Sequence, residues 1–205
     1  MSSSITTYGK VPGLTKGLPF LTRLVRFILR IKGWKLDVNL PDTPKYIVIG
    51  APHTTNRDGF YAILLGFAAN IPMRFIGKDS LFKPPFGFLI RLLGGIPVVR
   101  NSSNNFVDQI VERFNQSDAL VIAIAPEGTR NGTPYWRTGF YYMALGAGIP
   151  IAFGFVDYDR KTLGIYPGIH PSGDLPADME LIRQFYINTV QFYQEGKREI
   201  QLKDL

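Results

Sequence analysis

Apolar and polar residues alternate in short blocks along most of the chain, and the blocks follow two different periods. Continuous apolar runs between turn-forming residues, of which ALVIAIA at 119–125 is the clearest, indicate buried strands. Apolar positions at helical spacing, as in GFYAILLGFAA at 59–69, indicate helices with an apolar face. We predict strands at 34–40, 46–49, 73–77, 96–100, 119–125 and 149–156, and helices at 59–69, 84–93, 105–115, 135–146 and 178–198.

This order of elements predicts an α/β fold. Strands alternate with helices, and several strands are apolar on both faces, which is typical of a largely parallel mixed sheet flanked by helices. In such sheets ligands bind at the carboxyl ends of the strands. His53 and Glu127 both follow predicted strands, so we expect them at that edge.

The segment 16–32 differs from the rest because it is strongly basic and contains no acidic residue. Its apolar residues recur at helical spacing, and its arginines share another face, which predicts a basic amphipathic helix in a lipid headgroup region. The alternative is a helix packed on its own domain with the arginines in water. We therefore divide the chain into 1–32, a disordered start with an interfacial helix, and 33–205, the main domain. The apolar positions are Leu21, Leu24, Val25, Ile28 and Leu29, and the basic ones are Arg23, Arg26 and Arg30.

Composition narrows the possible functions. With 205 residues, 45% hydrophobic and 19% charged, the chain can form one domain with a packed core. The net charge of +7 indicates a polyanionic partner: nucleic acid, an anionic lipid surface or a phosphorylated small substrate. The absence of cysteine excludes disulfides, thiolate zinc sites and a cysteine nucleophile.

No apolar stretch approaches the roughly 20 residues that span a bilayer. The first ten residues also lack the apolar core of a signal peptide. We therefore expect a peripheral protein on the cytoplasmic face of the membrane, without a spanning helix.

The sharpest chemical feature is the pair His53 and Asp58 in HTTNRD. A carboxylate beside a histidine fixes the tautomer and stabilises the imidazolium that forms when the ring accepts a proton. Such a pair is a general base for a hydroxyl nucleophile. The alternative is a purely structural role, in which the segment 54–58 caps a helix.

Two further segments carry cations beside glycines and prolines. APEGTR at 125–130 follows the most apolar strand, and its hydroxyl and forked guanidinium suit a phosphate or polyol, although a turn with a surface ion pair would look the same. Lys78 and Arg100 flank a segment rich in Pro and Gly and could complete a cationic pocket, or could simply be solvated.

Taken together and in order, these segments resemble the glycerophosphate acyltransferase family, whose best-known bacterial members are 1-acylglycerol-3-phosphate acyltransferases. The family pattern is a histidine and an aspartate separated by four residues, a Lys/Leu/Pro/Gly/Arg block, Glu-Gly-Thr-Arg, and an apolar strand with a proline. Here these blocks are His53–Asp58, 77–100, 127–130 and the GIPI segment 148–151, within residues 46–156.

The resemblance implies residue roles. His53 is the base and Asp58 its orienting partner. The implied phosphate ligands are Lys78, Arg100 and Arg130, and the residues that shape the acceptor-hydroxyl site are Glu127, Gly128 and Thr129. The donor is acyl-CoA or acyl-carrier-protein, the acceptor is a lyso-lipid, and no metal is needed.

Three positions depart from the family pattern. Many relatives have Trp at Arg57, an acidic residue at Val99 and a second proline at Phe153. The first two bear on the acceptor, so an acyltransferase for a lyso-aminolipid or glycolipid is an alternative. A non-catalytic module that binds anionic lipid is another. Nucleic-acid binding fits the charge, but no nucleic-acid motif is present.

Overall fold

The computed structural model describes residues 19–85, 87–98, 106–128, 133 and 135–202. The helices and strands follow one another along the chain as an alternating series. They are α1 (Pro19–Ile31), β1 (Lys35–Val38), β2 (Lys45–Gly50), α2 (Asn56–Ala69), β3 (Met73–Lys78), a 3₁₀ turn (Asp79–Phe82), α3 (Gly87–Leu92), β4 (Gly95–Val98), α4 (Phe106–Asn115), β5 (Leu120–Ile124), β6 (Tyr135–Trp136), α5 (Gly139–Ala147), β7 (Ile151–Asp157), β8 (Thr162–Ile169), α6 (Leu175–Thr189), α7 (Gln191–Gln194) and β9 (Gln201–Leu202).

Seven strands form one mixed sheet in the order β1-β8-β7-β2-β5-β3-β4. The five strands from β7 to β4 are parallel, whereas β8 runs antiparallel to β7 and pairs in parallel with β1. Strands β6 and β9 form a separate parallel pair. The predicted α/β class, with a largely parallel mixed sheet and an N-terminal basic helix, is therefore confirmed.

The sheet separates two apolar layers. Successive residues of β2 point to opposite faces: Tyr46 and Val48 lie in the layer with α1 and α2, and Ile47 and Ile49 lie in the layer with α4, α5 and α6. Because both faces are covered, β2, β5 and β7 carry apolar residues on both faces, as their sequence runs indicated.

Helix α1 belongs to the first layer. It runs alongside α2 in the opposite direction, with the Thr22 hydroxyl 3.3 Å from Oδ1 of Asn70 and Nε of Arg26 donating to the Ala68 carbonyl at 2.7 Å. Val25 and Leu29 are buried in the core. The described part of the predicted interfacial helix thus also packs on its own domain. No helix within the described residues is both long and apolar enough to cross a membrane.

Four predicted helices begin three or more residues away from their predicted starts; α2, for example, begins at Asn56 rather than at 59. The helix predicted at 135–146 begins only at Gly139, because Tyr135 and Trp136 pair with β9. The helix predicted at 178–198 begins earlier, at Leu175, and breaks at Val190, which is extended while the Gln191 N–H donates to the Asp157 carboxylate at 3.1 Å.

The helix predicted at 84–93 is shorter, at Gly87–Leu92, and follows Pro84 and Pro85. Strand β8 was not predicted, because TLGIYPGI reads as a turn-rich segment. Its Gly168 lies at an irregularity opposite Ile151, where an added Cβ would be 2.3 Å from the Ile151 carbonyl oxygen.

The ends of β2 and β7 are fixed from the α6 side by one buried tyrosine. The Tyr186 hydroxyl lies 2.9 Å from the Ile49 carbonyl and 3.1 Å from the Gly154 carbonyl, on adjacent strands. Burial raises the pKa of this hydroxyl well above its usual range. It therefore stays protonated and can donate.

We expect Tyr186→Phe to lower the free energy of unfolding by about 1–3 kcal/mol, because it leaves buried carbonyls without this donor while keeping the ring. Urea denaturation measures the change. The matched control is Tyr142→Phe, which alters a half-exposed tyrosine. Equal stability of the two variants would contradict the role given to the Tyr186 hydroxyl.

Candidate active site

Strands β2 and β5 end side by side at the carboxyl edge of the sheet. The two strands are parallel neighbours, with Ile49 paired to Ile124. The chain leaves β2 for α2 on one face of the sheet and leaves β5 toward α5 on the other face. Adjacent strands whose connections diverge in this way leave room for a ligand at their carboxyl ends. His53 and Glu127 follow these two strand ends, as predicted.

A hydrogen bond attaches the segment of His53 to Glu127 at this edge of the sheet. The His53 backbone N–H donates to Oε1 of Glu127 at 2.9 Å. The imidazole is half-buried, and its Cε1 lies 3.9 Å from the position that a Cβ on Gly59 would occupy. The ring therefore lies beside the first turn of α2, close to Gly59, the residue that follows Asp58 in the sequence. A histidine in this position can accept a proton from a hydroxyl bound at this edge of the sheet.

Asp58 is buried at the start of α2 and caps it. Thr55 is the N-cap, and Asp58 completes a capping box with it. Oδ2 of Asp58 accepts from the backbone N–H groups of Thr54 and Thr55, both at 2.6 Å. The capping role weighed for this segment is thus present. It fixes the carboxylate rigidly beside the histidine segment.

Tyr158 is a member of the site that the sequence did not suggest. It follows β7, and its hydroxyl donates to Oδ1 of Asp58 at 2.6 Å. Burial raises the pKa of Tyr158 well above its usual value, and the Asp58 carboxylate raises it further. The ring packs against Trp34 and Tyr61. Its place at a strand end was the one signal that could have identified it.

Glu127 has a fully buried side chain whose other oxygen is bound to a cation. Oε2 lies 2.6 Å from Nη1 of Arg198, a residue 71 positions later in the chain. Burial raises the pKa of Glu127, while the His53 N–H and the Arg198 guanidinium lower it in part. Nothing in the local sequence of Arg198 indicated this contact.

Gly128 has a positive φ of 64°, and the side chain of Arg137, a second cation of the site, packs against it. An added Cβ would lie 2.8 Å from Cδ and Nε of Arg137. The Arg137 backbone N–H donates to the Pro126 carbonyl at 2.9 Å, which closes the base of the loop between them. Thr129 and Arg130, predicted to contact the acceptor, lie in this loop outside the described residues.

The other predicted site residues are only partly described. Lys78 ends β3, so its backbone lies at the same edge of the sheet, two strands from β2. Arg100 and Val99 lie outside the described residues. The guanidinium carbon of Arg57 lies 5.3 Å from the centre of the Tyr158 ring, and Phe153 is buried against Phe185. The described residues contain no cluster of three His, Asp or Glu side chains suited to a metal.

Known proteins provide an independent comparison. The family model "Acyltransferase" matches residues 36–152, more than half of the chain. Among solved structures, the chain resembles PlsC, the 1-acyl-sn-glycerophosphate acyltransferase from Thermotoga maritima, with a TM-score of 0.54 and 16% identity over 87% of this chain and 78% of that one. The comparison with curated proteins gave no match.

The matched region contains His53, Asp58 and the Glu127 segment, and the PlsC structure has the same α/β fold. The family predicted from the sequence motifs is thus confirmed: this chain belongs to the Acyltransferase family and is an acyltransferase.

Proposed function

We propose that this enzyme transfers a fatty acyl group from a thioester to a hydroxyl of a lysophospholipid such as 1-acylglycerol-3-phosphate. The donor is acyl-CoA or acyl-carrier-protein. The observation that carries the proposal is the placement of His53, which the buried Glu127 carboxylate holds at the carboxyl edge of the sheet beside Asp58. The PlsC enzyme, named for this acceptor, has the same fold.

In the proposed mechanism His53 takes the proton of the acceptor hydroxyl as the oxygen attacks the thioester carbonyl. A carbon–oxygen bond forms, and the carbonyl oxygen becomes an oxyanion. Collapse of this intermediate re-forms the carbonyl and breaks the carbon–sulfur bond. The imidazolium of His53 then returns its proton to the departing thiolate, so the base is regenerated.

Asp58 stabilises the imidazolium in this scheme, and Tyr158 helps to hold Asp58. The carboxylate is buried and fixed by two backbone N–H groups and the Tyr158 hydroxyl. A fixed negative charge next to a histidine favours the protonated ring without itself taking the proton. The cap of α2 thereby also serves the proposed chemistry.

The acceptor phosphate requires cations at the same edge. We propose Lys78, Arg100 and Arg130 as its ligands, with Gly128 and Thr129 shaping the hydroxyl site. Arg137 joins this group, since it lies over Gly128. Glu127 is buried and bound to Arg198, so its proposed contribution to the acceptor site runs through the His53 backbone.

The apolar surface of α1 supports a membrane-bound acceptor and a peripheral location on the cytoplasmic face. The side of α1 opposite its buried residues is strongly exposed: Phe20 is 79% exposed, Phe27 62% and Ile31 67%. Arg23 and Arg30 are exposed at the border of this apolar stripe. An apolar stripe bordered by cations suits an anionic lipid surface.

Two more helices on the same face of the sheet add apolar surface. Phe60 of α2 is 59% exposed, and α3 presents further exposed apolar side chains. Helices α2 and α3 line one groove together, which places α3 on the α1–α2 side. Exposed apolar side chains on several helices of one face suit contact with another molecule or a membrane. The α3 residues are Phe88, Leu89 and Leu92.

Replacing the base tests the mechanism directly. We expect His53→Ala to lower kcat for acyl transfer by ~10²–10⁴-fold, because no group then accepts the hydroxyl proton. Thioester cleavage with a lysophospholipid acceptor measures turnover. His170→Ala changes the only other histidine, which is exposed, and serves as the control. Turnover of His53→Ala within a few-fold of wild type would exclude His53 as the base.

Tyr158→Phe tests the support of Asp58. Loss of a hydrogen bond to a buried carboxylate, worth about 1.5–3 kcal/mol, should lower kcat by roughly tenfold or more if the carboxylate shifts. Tyr166→Phe is the matched control, since this hydroxyl also donates to a carboxylate, Asp37, at 2.6 Å, but on the exposed edge strand. If both variants turn over at the same rate, the Tyr158 hydroxyl has no part in the proposed chemistry.

Membrane contact by α1 is best tested on its exposed stripe, because Val25 and Leu29 belong to the core and deletion of the helix would expose it. We expect Phe20→Ser/Phe27→Ser to reduce sedimentation with vesicles of any charge. Arg23→Gln/Arg30→Gln should reduce it with anionic vesicles alone, by about 1 kcal/mol per residue, and less in high salt.

Leu181→Ser, which alters an exposed apolar residue of α6, is the control for these vesicle measurements. Wild-type sedimentation of both α1 variants would show that the stripe does not bind lipid.

A further inference from the structure

The C-terminal segment, residues 195–202, returns to the carboxyl edge of the sheet and contacts Glu127 there. It follows α7 and lies entirely outside the region that matches the Acyltransferase family model, residues 36–152. Within it, Nη1 of Arg198 lies 2.6 Å from Oε2 of Glu127, with 15% and 0% of the two side chains exposed. This pair is largely shielded from water, unlike the surface ion pairs of the neighbouring Lys197.

Contacts on both sides hold the C-terminal segment in place. Ile200 is buried in the core, and β9 pairs with β6, in the register Tyr135 to Gln201 and Trp136 to Leu202. Strand β6 follows the loop that contains Gly128, so the same segment borders both ends of that loop. The Arg198 guanidinium also lies over the Phe192 ring, 5.5 Å from its centre. The cation is therefore presented to Glu127 by ordered structure.

Glu127 connects this cation to the segment of the base. One of its oxygens accepts from Arg198 and the other from the His53 backbone N–H at 2.9 Å. Hydrogen bonds to an ionised carboxylate are shorter and stronger than hydrogen bonds to a neutral carboxyl group. Burial of Glu127 opposes ionisation, and Arg198 favours it. The strength of the hydrogen bond to His53 thus depends on a residue far outside the sequence motifs.

We propose that Arg198 is a positioning residue of this acyltransferase, which acts through Glu127 to fix the backbone of His53. The C-terminal segment is then a part of the active site rather than an appendage of the domain. The inference rests on the proposed role of His53 as the base. Because Arg198 does not reach the reacting atoms in this scheme, its loss should affect kcat more than the KM of either substrate.

The first test combines kinetics with a double-mutant cycle. The variants are Arg198→Met and Arg198→Lys, each in the wild-type and Glu127→Gln backgrounds. Arg198→Met should lower kcat on the order of 10–100-fold, since displacement of a catalytic group by about 1 Å has effects of that size. Arg198→Lys should recover much of the loss. In the Glu127→Gln background Arg198→Met should cause little further loss, because the connection is already broken.

Lys197→Met is the matched control, because Lys197 is adjacent and pairs with Glu195 and Asp159 at the surface. It should keep wild-type kcat. Wild-type kcat in Arg198→Met, or the same fold loss in both backgrounds, would overturn the proposal. If Arg198→Met does not fold, Arg198→Gln in the two backgrounds gives the same comparison, because it also removes the cation.

The second test measures the hydrogen bond of the His53 backbone N–H by NMR and does not depend on activity. The chain has two histidines, so ¹⁵N-histidine labelling gives two backbone amide resonances, and His170 serves as the internal reference. Arg198→Met should shift the His53 amide proton resonance upfield, as expected for a weaker hydrogen bond, and leave that of His170 in place. Arg198→Lys should cause a smaller shift. An unchanged His53 resonance would overturn the proposal.

These readouts separate this inference from the proposed function. Full activity of His53→Ala contradicts the mechanism, whatever the Arg198 variants do. A shifted His53 amide with unchanged kcat shows that the connection exists, and it contradicts the claim that the connection positions the base.

Discussion

The buried carboxylate of Glu127 is the interaction on which the rest of the site depends. Burying a carboxylate is costly unless it is hydrogen-bonded and paired, and this one has both kinds of partner. One oxygen holds the His53 backbone and the other holds Arg198. Three parts of the chain, the ends of β2 and β5 and the C-terminal segment, are thereby fixed to one another.

A second buried carboxylate, Asp58, holds the residues that follow His53. Asp58 caps α2 and receives the Tyr158 hydroxyl from the end of β7. The segment 53–55 is therefore hydrogen-bonded to two carboxylates, and each carboxylate also has a long-range partner. The proposed role of His53 as the base requires this kind of support, because the rate advantage of a base depends on an orientation maintained to within fractions of an ångström.

The sequence predicted the parts of this structure that local patterns encode. The strands β2, β5 and β7 are apolar on both faces, and that property makes them visible as runs. His53 and Glu127 could be placed together because the carboxyl ends of parallel strands meet at one edge. Strand β8 was not predicted, because its Gly and Pro residues serve an irregular pairing with β7.

Residues whose partners are far away in sequence could not be predicted. Tyr158 reaches Asp58 across 100 residues and Arg198 reaches Glu127 across 71. Neither lies in a motif, and each is placed by tertiary packing alone. The break after α6 has the same origin, since Asp157 of β7 accepts from the Gln191 N–H. The α1 sequence, by contrast, suited both burial and lipid contact, and the structure shows a buried side and an exposed apolar side.

The central claim is that the chain acylates a lysophospholipid hydroxyl from a thioester donor. Mass spectrometry of the lipids formed by the purified protein from acyl-CoA or acyl-carrier-protein, with a panel of lyso-acceptors, tests it most directly. The account predicts a diacyl product from a lyso-acceptor with a phosphate, formed with release of the free thiol. Acylation confined to acceptors without a phosphate, or no acylated lipid from any donor and acceptor pair, would contradict it.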